Sequence, residues 1–493
     1  MSKSHSLLSA TLWTVAARWT DRLLGLGSIA ILSRLLTPEQ FGLVATASIV
    51  ALAIEMFFSL GLDWALVRLP KMTDGHMSTA WTLRVCTGTV CALALAASSF
   101  AISQYFGDAR ITSIVLVLSG AILVGSLENP GMAEFRRRLD FRAEYAVTLG
   151  SKIAGFVVAA TLAFAYRTYW ALPLGVLTSK VATVALSFFL HPFRPKWRLV
   201  ERGELLSFSL WSVASTVVNY FRVRSAELVV AKQLGLISLG HLRIANELAE
   251  TAANELGGPI NRALFSEYSG KSMDAHELRT SFAKTTSLVW CVALPVAIGI
   301  GLLGHHAIRI IFGDQWNASA ELVGILCVAN GMSLMSTNAS SLLWSIGHTA
   351  LATYLSTALM VLFLVLLLVL IPIYALAGSA YAIFLTAAIG LPLTIAITCK
   401  KIDLGFVEFM RGKWRLLIGL TCMSWIVLQL RPESMATEMA GVVRETIALA
   451  LAGALTYVST TCGLWLIAGR PDGPESVIWN KIVKGILLRR FSE

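Results

Sequence analysis

The chain of 493 residues is 56% hydrophobic and only 14% charged, with a formal net charge of +11. Soluble proteins carry about 25% charged residues, and mean hydropathy here is +0.71, which excludes a soluble enzyme. Lys and Arg punctuate apolar stretches instead of forming a solvated patch, which excludes a nucleic-acid-binding protein and assigns the charge to membrane-flanking loops.

A bilayer core is crossed by about 20 apolar helical residues. Runs bounded by charge, Pro or Gly predict spans at 8–34, 39–62, 78–103, 110–128, 143–166 and 168–190. After the basic connection His191 to Glu204 come 205–231, 238–260, 278–304, 318–346, 349–371 and 374–399, then 413–430 and 438–468, fourteen in all. Leu7 to Ala17 has the apolarity of a signal-peptide core, but Arg18, Asp21 and Arg22 follow and the pattern resumes to Leu36, so it reads as an uncleaved first helix. The cysteines lie mostly within apolar segments and none has CxxC spacing, which makes them packing residues.

Lys and Arg are retained on the cytoplasmic side of a membrane. With the N-terminus inside, cytoplasmic segments hold 24 of them and the opposite side 6. Both termini are therefore expected in the cytoplasm, with Asp314 to Trp316 outside. An internal repeat supports the even count. Phe41-Gly42 parallels Leu239-Gly240 at an offset of 198, and Phe106-Gly107-Asp108 parallels Phe312-Gly313-Asp314 at an offset of 206. Each match falls at the equivalent loop six spans apart, so the halves share one orientation. The predicted architecture is an all-α polytopic membrane protein. Two six-helix lobes, 1–190 and 205–400, are joined by the cytoplasmic linker 191–204 and followed by two spans over 401–468 and a tail over 469–493.

An ionisable group at mid-helix costs at least about 2.5 to 3.5 kcal/mol, so such groups face a cavity or a partner. The first lobe places Arg18, Asp21, Arg22, Lys152 and Lys180 near mid-depth. Arg18 and Arg22, four apart, share a helix face, and Asp21 is spaced to neutralise Arg18. Lys152 and Lys180 have no carboxylate nearby in sequence, giving a net positive interior suited to an anionic substrate. In the second lobe Arg222, Arg224 and Glu227 lie on the seventh span; Arg243, Glu247, Glu250 and Asn254 form one stripe of the eighth, with Arg243 and Glu247 spaced as an ion pair. Arg84, Lys284 and Glu321 sit near span ends, where they can snorkel. Trp19, Trp211, Tyr220 and Phe221 are able to stack on sugar rings, but packing explains each equally well. Gly25 to Ala30 matches a GxGxxA dinucleotide pattern with no preceding strand and inside a span, where glycines serve helix packing. His305 and His306 lack metalloprotease spacing, and neither a metal site nor a catalytic pair is expected.

Ile31-Leu32-Ser33-Arg34-Leu35-Leu36-Thr37-Pro38-Glu39-Gln40-Phe41-Gly42, Arg137-Arg138-Leu139-Asp140-Phe141, Leu239-Gly240, Gly258 to Phe265 and Ile311-Phe312-Gly313-Asp314-Gln315-Trp316 run in order along the chain. In them the sequence resembles the Wzx-type polysaccharide transporters, the lipid-linked oligosaccharide flippases of the MOP exporter superfamily, especially the colanic-acid-exporter-like branch. The resemblance implies two six-helix bundles with two extra C-terminal helices. By alternating access they would carry an undecaprenyl-pyrophosphate-linked repeat unit across the bacterial inner membrane for exopolysaccharide or lipopolysaccharide synthesis. On it, Arg18, Arg22, Lys152, Lys180, Arg222 and Arg224 are the expected pyrophosphate ligands, and Glu250, Asp21 and Glu55 the coupling candidates, with Glu250 first. No cofactor is expected beyond a coupling H+ or Na+; the polymerase and chain-length components of the pathway are expected partners. A MATE-type drug or cation antiporter is the alternative within the class, disfavoured by the basic interior. A membrane polymerase or ligase is the other, disfavoured because no external connection exceeds about a dozen residues.

Overall fold

The computed structural model describes the backbone of residues 2–58, 72–138, 141–200, 223–251, 274–411, 413–432, 438–471 and 473–476, and positions 62, 66, 220, 221 and 436; for 2–18, 57, 58, 141, 275 and 349 it describes backbone alone. Among these residues there is no strand. The helices are α1 Ser2–Leu35, α2 Pro38–Phe58, α3 Asp74–Phe106, α4 Arg110–Ser126, the short α5 Met132–Arg137, α6 Phe141–Tyr166 and α7 Ala171–Leu190. Residues 223–233 (α8) and 235–251 (α9) follow. Then come α10 Ala275–Leu302, the short α11 Gly304–Ile311, a 3-10 turn Asp314–Trp316, α12 Asn317–Ser345, α13 Thr349–Lys401, the short α14 Phe406–Arg411, α15 Trp414–Leu430 and α16 Met439–Ile467.

Eight described helices are long and apolar enough to cross a membrane, and α4 and α15 are shorter apolar ones. The segment Ala350–Lys401 covers two predicted spans: Pro372 removes a backbone donor and Ala375 adopts φ 48°, which breaks α13 between them. Side chains of α1 are described from Trp19 to Leu35, and most of the predicted seventh span lies outside the described residues.

Caps explain where the helices start and stop. Thr37-Pro38-Glu39-Gln40 is a capping box: the Thr37 hydroxyl accepts from the Gln40 amide at 3.3 Å and the Gln40 side chain accepts from the Thr37 amide at 3.0 Å. Pro38 takes the first helical position, where its missing N–H costs nothing. Glu39 then pairs with Arg110 at 2.6 Å, and Gln40 donates to the Arg167 carbonyl at 3.0 Å. Both Phe-Gly-Asp motifs are helix stops. Gly107 has φ 78° and donates to the Ser103 carbonyl; Gly313 has φ 101° and donates to that of Ile308. The aspartate pairs locally in each case, Asp108 with Arg110 and Asp314 with Arg309.

The chain divides by packing into two compact units, Met1–Arg243 and Ile244–Glu493. The helix α8 and the start of α9 pack with the first unit. Tyr220 Oη donates to the Ile49 carbonyl, and a Cβ on Gly42 would stand 1.7 Å from the Leu236 carbonyl oxygen. Reciprocally, a Cβ on Gly240 would stand 2.1 Å from the Pro38 carbonyl oxygen. Position 236 is position 38 plus the repeat offset, so the two motif glycines form one self-complementary backbone crossing. The core of this unit sets Leu43, Ala47 and Ala51, one face of α2, against Leu95 and against Ile111, Ile114 and Leu118 of α4.

In the second unit α10, α12 and α15 share a core of Phe282, Trp290, Leu294, Leu342, Leu416 and Leu420. Tyr457 of α16 donates to the Cys291 carbonyl at 3.0 Å. Lys413 is 1% exposed. Its Nζ donates to the Phe409 carbonyl at 2.6 Å and lies 3.2 Å from the Phe409 ring centroid. The start of the predicted polar tail folds back here, since Arg415 and Glu475 form a buried pair at 3.1 Å.

Candidate functional site

The long side chains at mid-helix in the first unit come from α1, α6 and α7. Lys152 stands near the middle of α6 and reaches the Asp21 carboxylate of α1 in an ion pair. This corrects the expectation that Lys152 has no counter-ion: the partner is 131 residues away in sequence and one helix away in space. Lys152 and Asp21 retain 44% and 41% side-chain exposure. Charged groups within spans almost always face the bundle interior or a water-filled cavity and not lipid, so the pair marks a hydrated surface.

Lys180 lies near the middle of α7, half-buried, with no ion pair among the described residues. Gly125 of α4 makes room for its stem; a Cβ there would stand 3.1 Å from Lys180 Cδ. Arg22 is half-buried on α1 beside Asp21. Of Arg18 only the helical backbone is described, and Arg222 lies outside the described residues, as does Asn254.

A second cluster joins α8 to α9. Glu227 is 1% exposed and receives Arg224 from its own helix and Arg243 from the next, the latter at 3.2 Å. The described partner of Arg243 is thus Glu227, where helix spacing pointed to Glu247. Arg224 and Arg243 enclose one carboxylate, so Arg224 belongs to a structural knot before it can serve an anion. Of the coupling candidates, Glu55 on α2 and Glu250 on α9 are half-buried, and Asp21 is the one whose pairing is described.

Sequence reasoning missed three further contacts. Arg84, assigned to a span end, pairs with Glu128 at 3.5 Å, and Glu134 meets His191 at 3.2 Å. Asn129 is fully buried and ties the α4–α5 turn to the chain after α7: its Nδ2 donates to the Phe193 carbonyl at 3.0 Å, and its Oδ1 accepts from Gly131 at 2.9 Å. Asn129-Pro130-Gly131 is a turn signature, and only that much was legible. Among the described residues no group of His, Cys, Asp and Glu has the geometry to hold a metal.

An all-helical polytopic chain with hydrated mid-helix charges belongs to the class of membrane transporters, not enzymes. Comparison with known proteins narrows the class. The chain belongs to the polysaccharide biosynthesis protein family, whose model matches residues 31–321, more than half of its length. It is similar to the lipopolysaccharide biosynthesis protein WzxC of Escherichia coli (strain K12), 24% identical over 347 residues, 70% of either chain. It is also similar to the succinoglycan biosynthesis transport protein ExoT of Rhizobium meliloti (strain 1021), 25% identical over 65% of either chain. The likeness to Wzx-type transporters read from the motifs therefore holds. The fold is that of the lipid II flippase MurJ in an inward closed conformation, with TM-score 0.75, 14% identity and coverage of 93% of this chain and 100% of that one. An inward-facing multidrug MATE transporter of the MOP superfamily follows at TM-score 0.57 and 14% identity, over 78% and 95%.

Proposed function

We propose that this protein is a flippase that moves undecaprenyl-pyrophosphate-linked oligosaccharide repeat units from the cytoplasmic to the periplasmic leaflet of the bacterial inner membrane by alternating access. Its termini would be cytoplasmic, and its product would feed exopolysaccharide or lipopolysaccharide assembly. The observation that carries the reading is Lys180, a mid-helix ammonium with no ion pair among the described residues. A cation held in a span without a counter-ion is costly, and a pyrophosphate passing at that depth would supply the missing charge. Lys152, held on the hydrated surface by Asp21, and Arg22 beside it would add donors; Arg18 and Arg222 remain proposed ligands by position alone.

The fold is shared with MATE transporters and does not separate the two cargoes. The charge favours an anionic cargo: a cationic drug is repelled by Lys180, and family membership supports polysaccharide precursors. For coupling, Glu250, half-buried on α9, is proposed first among Glu250, Asp21 and Glu55 as the carboxylate that alternates between protonation states.

The test is polymer export in cells whose own transporter is replaced by this chain, with uptake of a fluorescent lipid-linked repeat unit into proteoliposomes as the direct measurement. Lys180→Gln should abolish export while membrane levels stay normal, and Lys180→Arg should retain most of it. Full transport by Lys180→Gln would overturn the reading.

A further inference from the structure

The connection after α7 carries Arg194-Pro195-Lys196-Trp197-Arg198-Leu199-Val200 without regular secondary structure and with a bend at Trp197. Its three cations are Arg194, Lys196 and Arg198. The three cations line one polar cavity of about 360 Å³, with Asp74, Gly75 and Ser78 from the first turns of α3 forming its opposite wall. This is room on the order of a dozen water volumes. Three cations against the single carboxylate of Asp74 leave the cavity net positive. Thr73 caps the His76 amide, and the earlier first-turn amides have no acceptor within the helix, which adds to the positive potential.

The cavity is built, not incidental. Asn129 holds the Phe193 carbonyl, Thr82 Oγ1 accepts from the Arg198 amide at 3.2 Å, and Thr79 Oγ1 both accepts from the Val200 amide and donates to the Val200 carbonyl. Trp197 packs edge-on against Trp81 with ring centroids 5.0 Å apart. Arg194 Nη1 spends itself on the carbonyls of His191 and Phe193. Lys196 and Arg198 are exposed and have no ion pair among the described residues. Beside them Trp197, Leu199 and Val200 are 65%, 53% and 50% exposed, an apolar and aromatic rim suited to the headgroup level of a bilayer.

We infer that this cavity binds the phosphodiester headgroup of an anionic phospholipid, with Lys196 and Arg198 as its charge partners and the Trp197–Leu199–Val200 rim against the acyl chains. Its function is to fix the linker at the membrane surface through a resident lipid. The chemistry follows from placement: a soluble anion needs no apolar rim, and a zwitterionic lipid brings a choline cation into a site that is already positive. The inference does not depend on what the protein transports.

The test is native mass spectrometry of the full-length protein released from detergent with equal amounts of phosphatidylglycerol and phosphatidylcholine. Wild type should retain phosphatidylglycerol at least five-fold over phosphatidylcholine at one site, and 10 mM inorganic phosphate should not displace it. Lys196→Gln with Arg198→Gln should lose that preference; Lys196→Arg with Arg198→Lys, which keeps both charges, should retain it and shows that the loss is not misfolding. Retention of the preference by the glutamine variant would overturn the site. Displacement of the lipid by inorganic phosphate would overturn the lipid as occupant in favour of a free anion.

Discussion

The Asp21–Lys152 pair offers the sharpest test of how charge is accommodated inside the first unit. Two settings give different numbers. If the pair faced lipid, removing one partner would strand the other, at about 3 to 5 kcal/mol. On a hydrated surface the coupling is that of an exposed pair, about 0.2 to 1 kcal/mol. The 41% and 44% exposure of the two side chains, together with the avoidance of lipid by ionised groups, selects the hydrated case. Asp21→Asn and Lys152→Met should each cost about 1 kcal/mol or less, which for a chain of 493 residues lowers Tm by only about 1 °C. A double-mutant cycle with Asp21→Asn/Lys152→Met, read by thermal unfolding in lipid nanodiscs, gives the coupling energy directly. Export by Lys152→Met should nevertheless fall at least about tenfold, some 1.4 kcal/mol of lost substrate stabilisation. The reasoning fails if either single variant loses more than about 3 kcal/mol and the double variant recovers it, because that pattern belongs to a pair buried from water.

Glu227, 1% exposed between Arg224 and Arg243, is the opposite case. Glu227→Gln leaves two guanidinium groups without their carboxylate and should cost about 3 kcal/mol or more, seen as a lower Tm and reduced membrane levels; an unchanged Tm would refute the knot. Gly42→Ala and Gly240→Ala force a Cβ to within 1.7 and 2.1 Å of carbonyl oxygens and should each destabilise by about 1 to 3 kcal/mol or more. Gly27→Ala, which meets nothing within 4 Å, should be neutral or slightly stabilising in the same unfolding assay. His306 is fully buried, with neither ring nitrogen hydrogen-bonded among the described residues. Burial holds its imidazole below the ordinary histidine range, helped by Arg431 and opposed by Glu445, whose carboxylate is 3.9 Å away, with smaller contributions from His305 and Arg309 that act with burial. The unfolded chain then binds a proton that the folded one resists. Stability from this site should be complete above about pH 6.5 and decline as pH falls below it, by at most about 1.4 kcal/mol per pH unit. His306→Leu should flatten that part of the Tm-against-pH curve, and an unchanged slope would assign the acid sensitivity elsewhere.

Hydropathy is a property of each residue summed over about twenty neighbours, so it sets the spans without knowledge of packing. The predicted spans 143–166, 318–346 and 438–468 meet helices Phe141–Tyr166, Asn317–Ser345 and Met439–Ile467 to within two residues. The helix punctuation was also local: Thr37 to Gln40 is a capping box and both Phe-Gly-Asp motifs are glycine stops, because caps depend only on residues three or four apart. Partners across space were not legible. Lys152 looked unpaired and Arg243 looked paired with Glu247, because sequence shows only i, i+4 neighbours; helix packing brought Asp21 to the first and Glu227 to the second. Lys413 and Arg415 counted as loop charges, yet tertiary structure buries both, one against the Phe409 ring and the other against Glu475 of the tail. A charge count places a side of the membrane, but whether a charge is solvated is decided by what folds over it. The repeat glycines join the two levels: their spacing was written in the sequence, and only the fold showed that Gly42 and Gly240 are kept bare so that two backbones can touch.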